Sequence, residues 1–298
     1  MSGPLRDAAE AWTSGLEARG FAVSGPRELV NGLQYTVSRG GRSCRAGLYH
    51  SGRRGFSVVY AGGDRELYES LRQGGAAGAL HGGSDEAGKG DYFGPLVAAA
   101  TVLDGRAAQL LAGAGMADSK LLDDATILRL DPEIRRVASA FSVQSIAPAA
   151  YNRAMAGMPP GRNSLDLLAG LHAAAITAVA AGADGLPFTV DRFCPEGRLV
   201  PLLPGGPSYA LVTRGERVAA VAAASVLARA EYLRALAVLG ARFGAVLRPG
   251  SGDPADRAGA ALVGEWGPGV LVEAAKVHFA NTGRILAMAG LDGRTEIP

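Results

Sequence analysis

Ser84–Pro95 reads SDEAGKGDYFGP, and the fold depends on what its acids and glycines are doing. The residues before it, Ala79–Asp85, and after it, Pro95–Leu103 (PLVAAATVL), have the small and apolar composition of buried strands. Asp85 and Glu86 therefore stand at the end of a strand that otherwise runs into a core. Successive strand residues point to opposite faces, so this pair flanks the strand end instead of forming one fork. Gly88-Lys89-Gly90 makes a turn whose backbone amides can approach a ligand closely, with a cation between them. Carboxylates for a divalent metal beside glycine amides and a lysine suit a phosphodiester. The same letters also fit a plain strand-end turn with solvated acids.

Two shorter matches inside this stretch fall away. Gly83–Lys89 spells GxxxxGK, the opening of a P-loop, but Gly90 stands where Ser or Thr must hold magnesium. Two acids inside that loop would also repel the phosphates it should cradle. DEAG matches part of a helicase box, and no second helicase-like segment accompanies it.

Downstream, the residue pattern predicts helices over Gly105–Ala114 and Asp123–Val137, followed by a strand near Ala140–Ile146. A long apolar helix follows at Leu165–Ala181, then short strands at Leu186–Asp191 and Tyr209–Thr213, then an alanine-rich helix over Glu216–Leu239. This mixed order predicts an α/β domain over residues 79–298. Upstream, Gln73–Gly78 reads QGGAAG, and its part 75–78 is taken as a linker. Residues 1–74 carry a helix (Leu5–Leu16), three period-two segments (Leu33/Tyr35/Val37, Cys44/Ala46/Leu48, Phe56/Val58/Tyr60) and a closing helix at Asp64–Arg72. SRGGR and HSGRRG between the segments are turn chemistry, so this part is a small α+β module built on an antiparallel meander.

With 48% hydrophobic and 19% charged residues over 298 positions, the chain can bury a real core, which excludes disorder as its main state. No apolar run reaches the ~18 residues of a membrane span. The opening MSGPLRDAAEAW has acids and no apolar h-region, unlike a signal peptide. Cys44 and Cys194 form no CxxC, zinc set or disulfide framework, which points to a reducing cytoplasm. The four histidines are scattered. Net charge is only +2, yet five arginines and no acid lie between Arg39 and Arg54. Such a stretch serves either as a solvated sheet face or as a contact for a polyanion.

Four stretches together resemble one family. DEAGKGDYFGPLVAAATV (Asp85–Val102), Asp118-Ser119-Lys120, Asp191-Arg192-Phe193 and TRGERVAAVAAASVLAR (Thr213–Arg229) are similar, in order and spacing, to the type 2/type 3 ribonucleases H over residues 79–287. GKGDYFGP, Tyr151-Asn152 and AKVHFANT (Ala275–Thr282) resemble the type 3 form. The resemblance implies a ribonuclease H-like mixed sheet flanked by helices, with an N-terminal module resembling the TATA-binding-protein fold.

It also implies hydrolysis of the RNA strand of an RNA–DNA hybrid, giving 5′-phosphate and 3′-hydroxyl ends. Carried over by motif, the catalytic and metal-holding carboxylates are Asp85, Glu86, Asp191 and Glu216. Glu216 departs from the family pattern, since many relatives have Asp there. Four carboxylates without histidine or cysteine favour Mg2+ or Mn2+, with two ions about 3.5–4 Å apart clamping the scissile phosphate. Gly88, Lys89 and Gly90 are expected to read the 2′-hydroxyl. Ser119 and Lys120 are expected to anchor a backbone phosphate. Of thirty basic residues only three are lysines, and all three fall inside these motifs. Lys276, Tyr151-Asn152, His278 and Asn281 are read as structural. Arg42, Arg45, Arg53 and Arg54 of the N-terminal module are expected to add affinity for the hybrid backbone. The expected state is a monomeric, cytoplasmic enzyme with no obligate protein partner. The alternatives are type 2-like incision at single ribonucleotides in duplex DNA and a catalytically dead hybrid-binding protein.

Overall fold

The structure, a computed structural model, describes residues 3–18, 20–29, 32–51, 55–64, 67, 71, 80–116, 122–180 and 183–291. The chain divides into two units, Met1–Ala79 and Leu80–Pro298.

In the first unit a helix, α1 (Gly3–Ala18), precedes an antiparallel meander of β1 (Ala22–Leu29), β2 (Gly32–Arg39), β3 (Arg42–Ser51) and β4 (Gly55–Gly63), paired in that order. The period-two reading holds where it can be seen. Leu33, Tyr35 and Val37 of β2 sit opposite Leu48, Ala46 and Cys44 of β3, and all six are buried. Leu5, Ala9 and Leu16 of α1 join the same core. Strand β1 was not expected. Its sequence, AVSGPREL, is exposed on both faces, and its pairing with β2 shifts register between Ser24 and Arg27, around Pro26. An edge strand needs no alternation and tolerates proline, so periodicity does not mark it. Of the expected helix at Asp64–Arg72, Leu67 and Leu71 are buried in this core, and Asp64 Oδ1 accepts a hydrogen bond from Leu67 N at 2.9 Å. The rest of that helix, the 75–78 linker and the side chains of Phe56 and Tyr60 lie outside the described residues.

The second unit is built on a five-stranded mixed sheet of order β7-β6-β5-β8-β9, comprising β5 (His81–Ala87), β6 (Leu96–Leu103), β7 (Ala140–Ile146), β8 (Pro187–Asp191) and β9 (Ser208–Val212). The first three strands pair antiparallel, while β5, β8 and β9 run parallel. Helices α2 (Gly105–Gly113), α3 (Asp124–Val137), α4 (Pro148–Ala156), α5 (Ser164–Ala180) and α6 (Glu196–Leu199) fall between strands. Then α7 (Ala219–Phe243), α8 (Asp253–Trp266), α9 (Val270–Ala274) and α10 (Asn281–Met288) complete the fold. Strand β6 is buried along its whole length and sorts its side chains by parity. Val97, Ala99 and Leu103 enter the core beneath α7, and Ala100 and Val102 the core beneath α5. The sheet is therefore covered on both faces, a three-layer α/β/α arrangement.

Alanines make α7 thin enough to lie close against the sheet. Ala220, Ala223, Ala224 and Ala228 are all buried, and Thr101 Oγ1 donates to the Ala220 carbonyl at 2.7 Å. At Gly83 of β5, a Cβ would collide with the backbone of Ala220 and Val221. A glycine there is what lets the helix pack directly on the strand that carries Asp85. Helix α7 begins at Ala219 and not at Glu216. Arg214 adopts a left-handed conformation (φ 62°), and Gly215–Arg217 form a 3-10 turn ahead of the helix. Among the described residues no helix is long and apolar enough to cross a membrane.

Candidate active site

The acids expected at strand ends meet at the carboxyl ends of the parallel strands, where open α/β sheets place ligand sites. Ser84 of β5 pairs with Val190 of β8, so one step further brings Asp85 alongside Asp191. Asp85 and Gly83 face α7, whereas Ser84 and Glu86 face α5, as strand alternation requires. Asp85, Glu86 and Asp191 line one cavity of about 450 Å³ together with Gly88, Lys89, Gly90, Asp91, Asp124, Ser225 and Arg229. Asp85 Oδ1 accepts from the Glu86 N–H, and Asp191 Oδ1 from the Gly215 N–H, each at 2.8 Å. Burial pushes the Asp85 carboxyl up to about 7, and the Glu86 charge adds to the shift. Hydrogen bonds from Ser225 and the Glu86 backbone oppose it, and Asp191 raises it further.

Chemically this donor set fits a hard divalent cation. The groups are oxygen donors of like charge, pressed together at the end of a low-dielectric strand, and a cation would offset their mutual repulsion. Among the described residues no three of His, Cys, Asp and Glu are gathered closely enough to hold one ion, so the fit rests on the donors' chemistry and on the cavity that Asp85, Glu86 and Asp191 share. Glu216 does not line the cavity. It is half-buried on the 3-10 turn, next to the glycine whose N–H holds Asp191. The expectation that Glu216 opens a helix is corrected by the left-handed Arg214, which ends β9's return before the helix begins.

The glycine turn is rigidly built. Gly88 has φ +87°, and a Cβ there would strike the Pro95 carbonyl oxygen, so only glycine fits. Lys89 reaches back over the cavity, its Nζ 3.5 Å from Glu86 Oε1 and 5.7 Å from the Phe193 ring centroid. Downstream the segment Asp91–Gly94 is clamped by the C-terminal motif. Lys276, 1% exposed, donates from Nζ to the carbonyls of Asp91 (2.9 Å) and Gly94 (2.8 Å), and its N–H donates to Tyr92 O at 2.9 Å. Asn152 Nδ2 donates to Ala275 O at 2.8 Å, and Tyr92 Oη meets Thr282 Oγ1 at 3.0 Å. AKVHFANT thus fixes the segment that follows the turn.

Three residues about the site escaped the sequence reading: Ser225 and Arg229 on the cavity wall, and His172 behind Glu86. Ser225 and Arg229, one helical turn apart on α7, present a hydroxyl and a guanidinium to the cavity. Arg229 Nη2 lies 3.3 Å from Asp124 Oδ1, and its guanidinium stacks 5.3 Å over Tyr232. His172 is buried in α5. The available signal was a histidine inside the apolar run Leu167–Ile176 (LLAGLHAAAI) of α5. Ser119 and Lys120, and in the first unit Arg53 and Arg54, lie outside the described residues. Arg45 is exposed on β3, and Arg42, also exposed, has its Nε 3.8 Å from Asp64 Oδ2.

The family model for ribonuclease HII matches residues 82–282. A ribonuclease HIII of Exiguobacterium sibiricum is 33% identical over 221 residues, covering 70% of this chain and 69% of the relative. The chain belongs to the ribonuclease HIII family. A ribonuclease HIII of Protochlamydia amoebophila is 29% identical across 95% of both chains, so the likeness to ribonucleases HIII includes the first unit. The crystal structure of Bst-RNase HIII in complex with Mn2+ superposes with a TM-score of 0.64 at 28% identity, covering 95% of this chain and 96% of that one. As a ribonuclease HIII the chain is a metal-dependent ribonuclease H.

Proposed function

We propose that this ribonuclease H cleaves the RNA strand of RNA–DNA hybrids at the cavity that gathers Asp85, Glu86, Asp191 and the Gly88–Gly90 turn. That convergence is the observation that carries the reading: oxygen ligands and a glycine turn meet at one strand end. Asp85, Glu86 and Asp191 are the ligands, with Glu216 supplied from the neighbouring turn as the fourth. Two ions, Mg2+ or Mn2+, supply activation of the attacking water and neutralisation of the leaving 3′ oxygen when bound. The products then carry 5′-phosphate and 3′-hydroxyl ends.

The chain's own residues do the positioning. Gly88 and Gly90 let backbone amides reach a ribose 2′-hydroxyl, the group that separates RNA from DNA. Lys89, 43% exposed in its side chain beside Glu86, neutralises a phosphate entering next to the acids. Ser119 and Lys120 anchor a further phosphate. Residues 1–74 add non-specific affinity through Arg42, Arg45, Arg53 and Arg54, followed by the linker at 75–78 and the catalytic domain at 79–298. The enzyme works as a cytoplasmic monomer, in keeping with two buried free thiols. The test is digestion of three labelled duplexes: a full hybrid, a four-ribonucleotide insert and a one-ribonucleotide insert. The reading expects rapid cutting of the first two with 5′-phosphate products. Preferred cutting of the one-ribonucleotide duplex would replace it with type 2-like incision, and no cutting of any would make the chain a binding protein.

A further inference from the structure

Behind Glu86 lies a polar chain that the hydrolytic reading does not use. His172 and Ser84 are both 0% exposed. His172 Nδ1 is 2.7 Å from Ser84 Oγ, and His172 Nε2 is 3.2 Å from Glu86 Oε2. Ser84 Oγ also reaches the Ala99 carbonyl at 2.7 Å, which ties the chain to the middle of the sheet. The imidazole is stacked on Phe193, with centroids 4.4 Å apart and planes inclined by 12°. Phe193 follows Asp191 by two residues, so the segments that carry both acids hold one ring between them.

The proton pattern is constrained. An ionised carboxylate only accepts, so Nε2 must donate to Glu86, while Nδ1 shares the Ser84 hydroxyl as donor or acceptor. Glu86 Oε1 faces the Lys89 ammonium on the solvent side at 3.5 Å. A glutamate side chain is long and loses rotamer freedom when fixed. The buried N–H removes that freedom in advance. We propose that His172, backed by Ser84 and clamped by Phe193, is a positioning residue that orients the Glu86 carboxylate for divalent-metal binding. This rests on the reading of Glu86 as a metal ligand. Partners one shell out from a metal commonly set its affinity by about 10- to 100-fold.

The test is Mn2+ titration of the full chain by calorimetry, paired with the Mn2+ dependence of hybrid cleavage and a melting curve in chelator. His172→Phe keeps a ring to stack on Phe193 and deletes the N–H. It is expected to weaken Mn2+ about 10-fold or more, with cleavage recovering at high Mn2+. His172→Gln, which can return an N–H to Glu86, is expected to regain part of the affinity. If His172→Phe does not fold, Ser84→Ala carries the test, with a smaller weakening in the same direction. Unchanged Mn2+ affinity in the folded His172→Phe, or in Ser84→Ala where that variant stands in, overturns the positioning role and leaves His172 as a core residue. Glu86→Gln separates the two readings. If it too leaves Mn2+ binding unchanged, the ligand reading has failed. If it weakens binding while the His172 variant does not, only the positioning role has failed.

Discussion

Asp85 and Glu86 are neighbours in sequence, yet the strand sends them to different layers. Asp85 meets Ser225 of α7, and Glu86 meets His172 of α5. Each acid is thereby held by a different helix, and the pair can be spread around a metal instead of competing for one position. Glu216 reaches this region by another route, on a turn whose Gly215 N–H holds Asp191 at 2.8 Å. If it is the fourth ligand, Glu216→Gln should lower cleavage by about 100-fold or more, since charge at the metal is lost. Glu216→Asp should keep a substantial share, since only reach changes. Wild-type rates in Glu216→Gln, measured on a full hybrid at saturating Mn2+, would return this acid to the turn alone. The place of Asp85 and Glu86 at a strand end, and the glycine turn after them, were legible because strand and turn signals are local; their role came only from the four motifs taken together. His172 and Ser225 were not, because alanines and other apolar residues recur on every face of their stretches of α5 and α7, and spacing alone cannot say which face meets the acids.

Among the elements, the C-terminal motif is joined through Lys276 to Asp91–Gly94, the segment that follows the glycine turn. Burial pushes its ammonium down to about 7, with Asp91 pulling the other way. An unfolded chain has lysine near its ordinary value of about 10.4. Between those values the unfolded state binds more protons, so this group makes stability rise as pH increases from about 7 to about 10. Lys276→Met should remove that rise, and it leaves the carbonyls of Asp91 and Gly94 without their donor. The melting-temperature gap between wild type and variant should therefore widen in favour of wild type across that range. Parallel pH profiles would contradict the assignment. The start of α7 shows where reading elements from sequence fell short. Glu216 and Arg217 are good helix formers, but the left-handed Arg214 and the close fit of Gly215 against Asp191 are tertiary requirements. Strand β1 went unseen for the opposite reason, having no buried face to impose alternation.

For the whole molecule, the first unit contributes affinity, in this reading, while every assigned ligand lies in the second. Deleting residues 1–74 should weaken hybrid binding strongly and leave the rate at saturating substrate mostly intact. Each lost phosphate contact also removes roughly 0.9 from the slope of log K against log salt on a duplex. Reversing Arg42, Arg45, Arg53 and Arg54 to Glu in the full chain should reproduce much of that loss. Unchanged affinity and salt slope in both proteins would make these arginines a solvated sheet face.

In the proposed function Asp85 and Asp191, brought side by side at the ends of β5 and β8, hold the metal that cuts the RNA strand. The deciding measurement is single-turnover cleavage of a labelled full hybrid by Asp85→Asn and Asp191→Asn, at saturating Mg2+ and again at saturating Mn2+. Both variants should keep the wild-type circular dichroism spectrum and lose detectable cleavage with either ion. Near-wild-type cleavage by either folded variant would contradict the account.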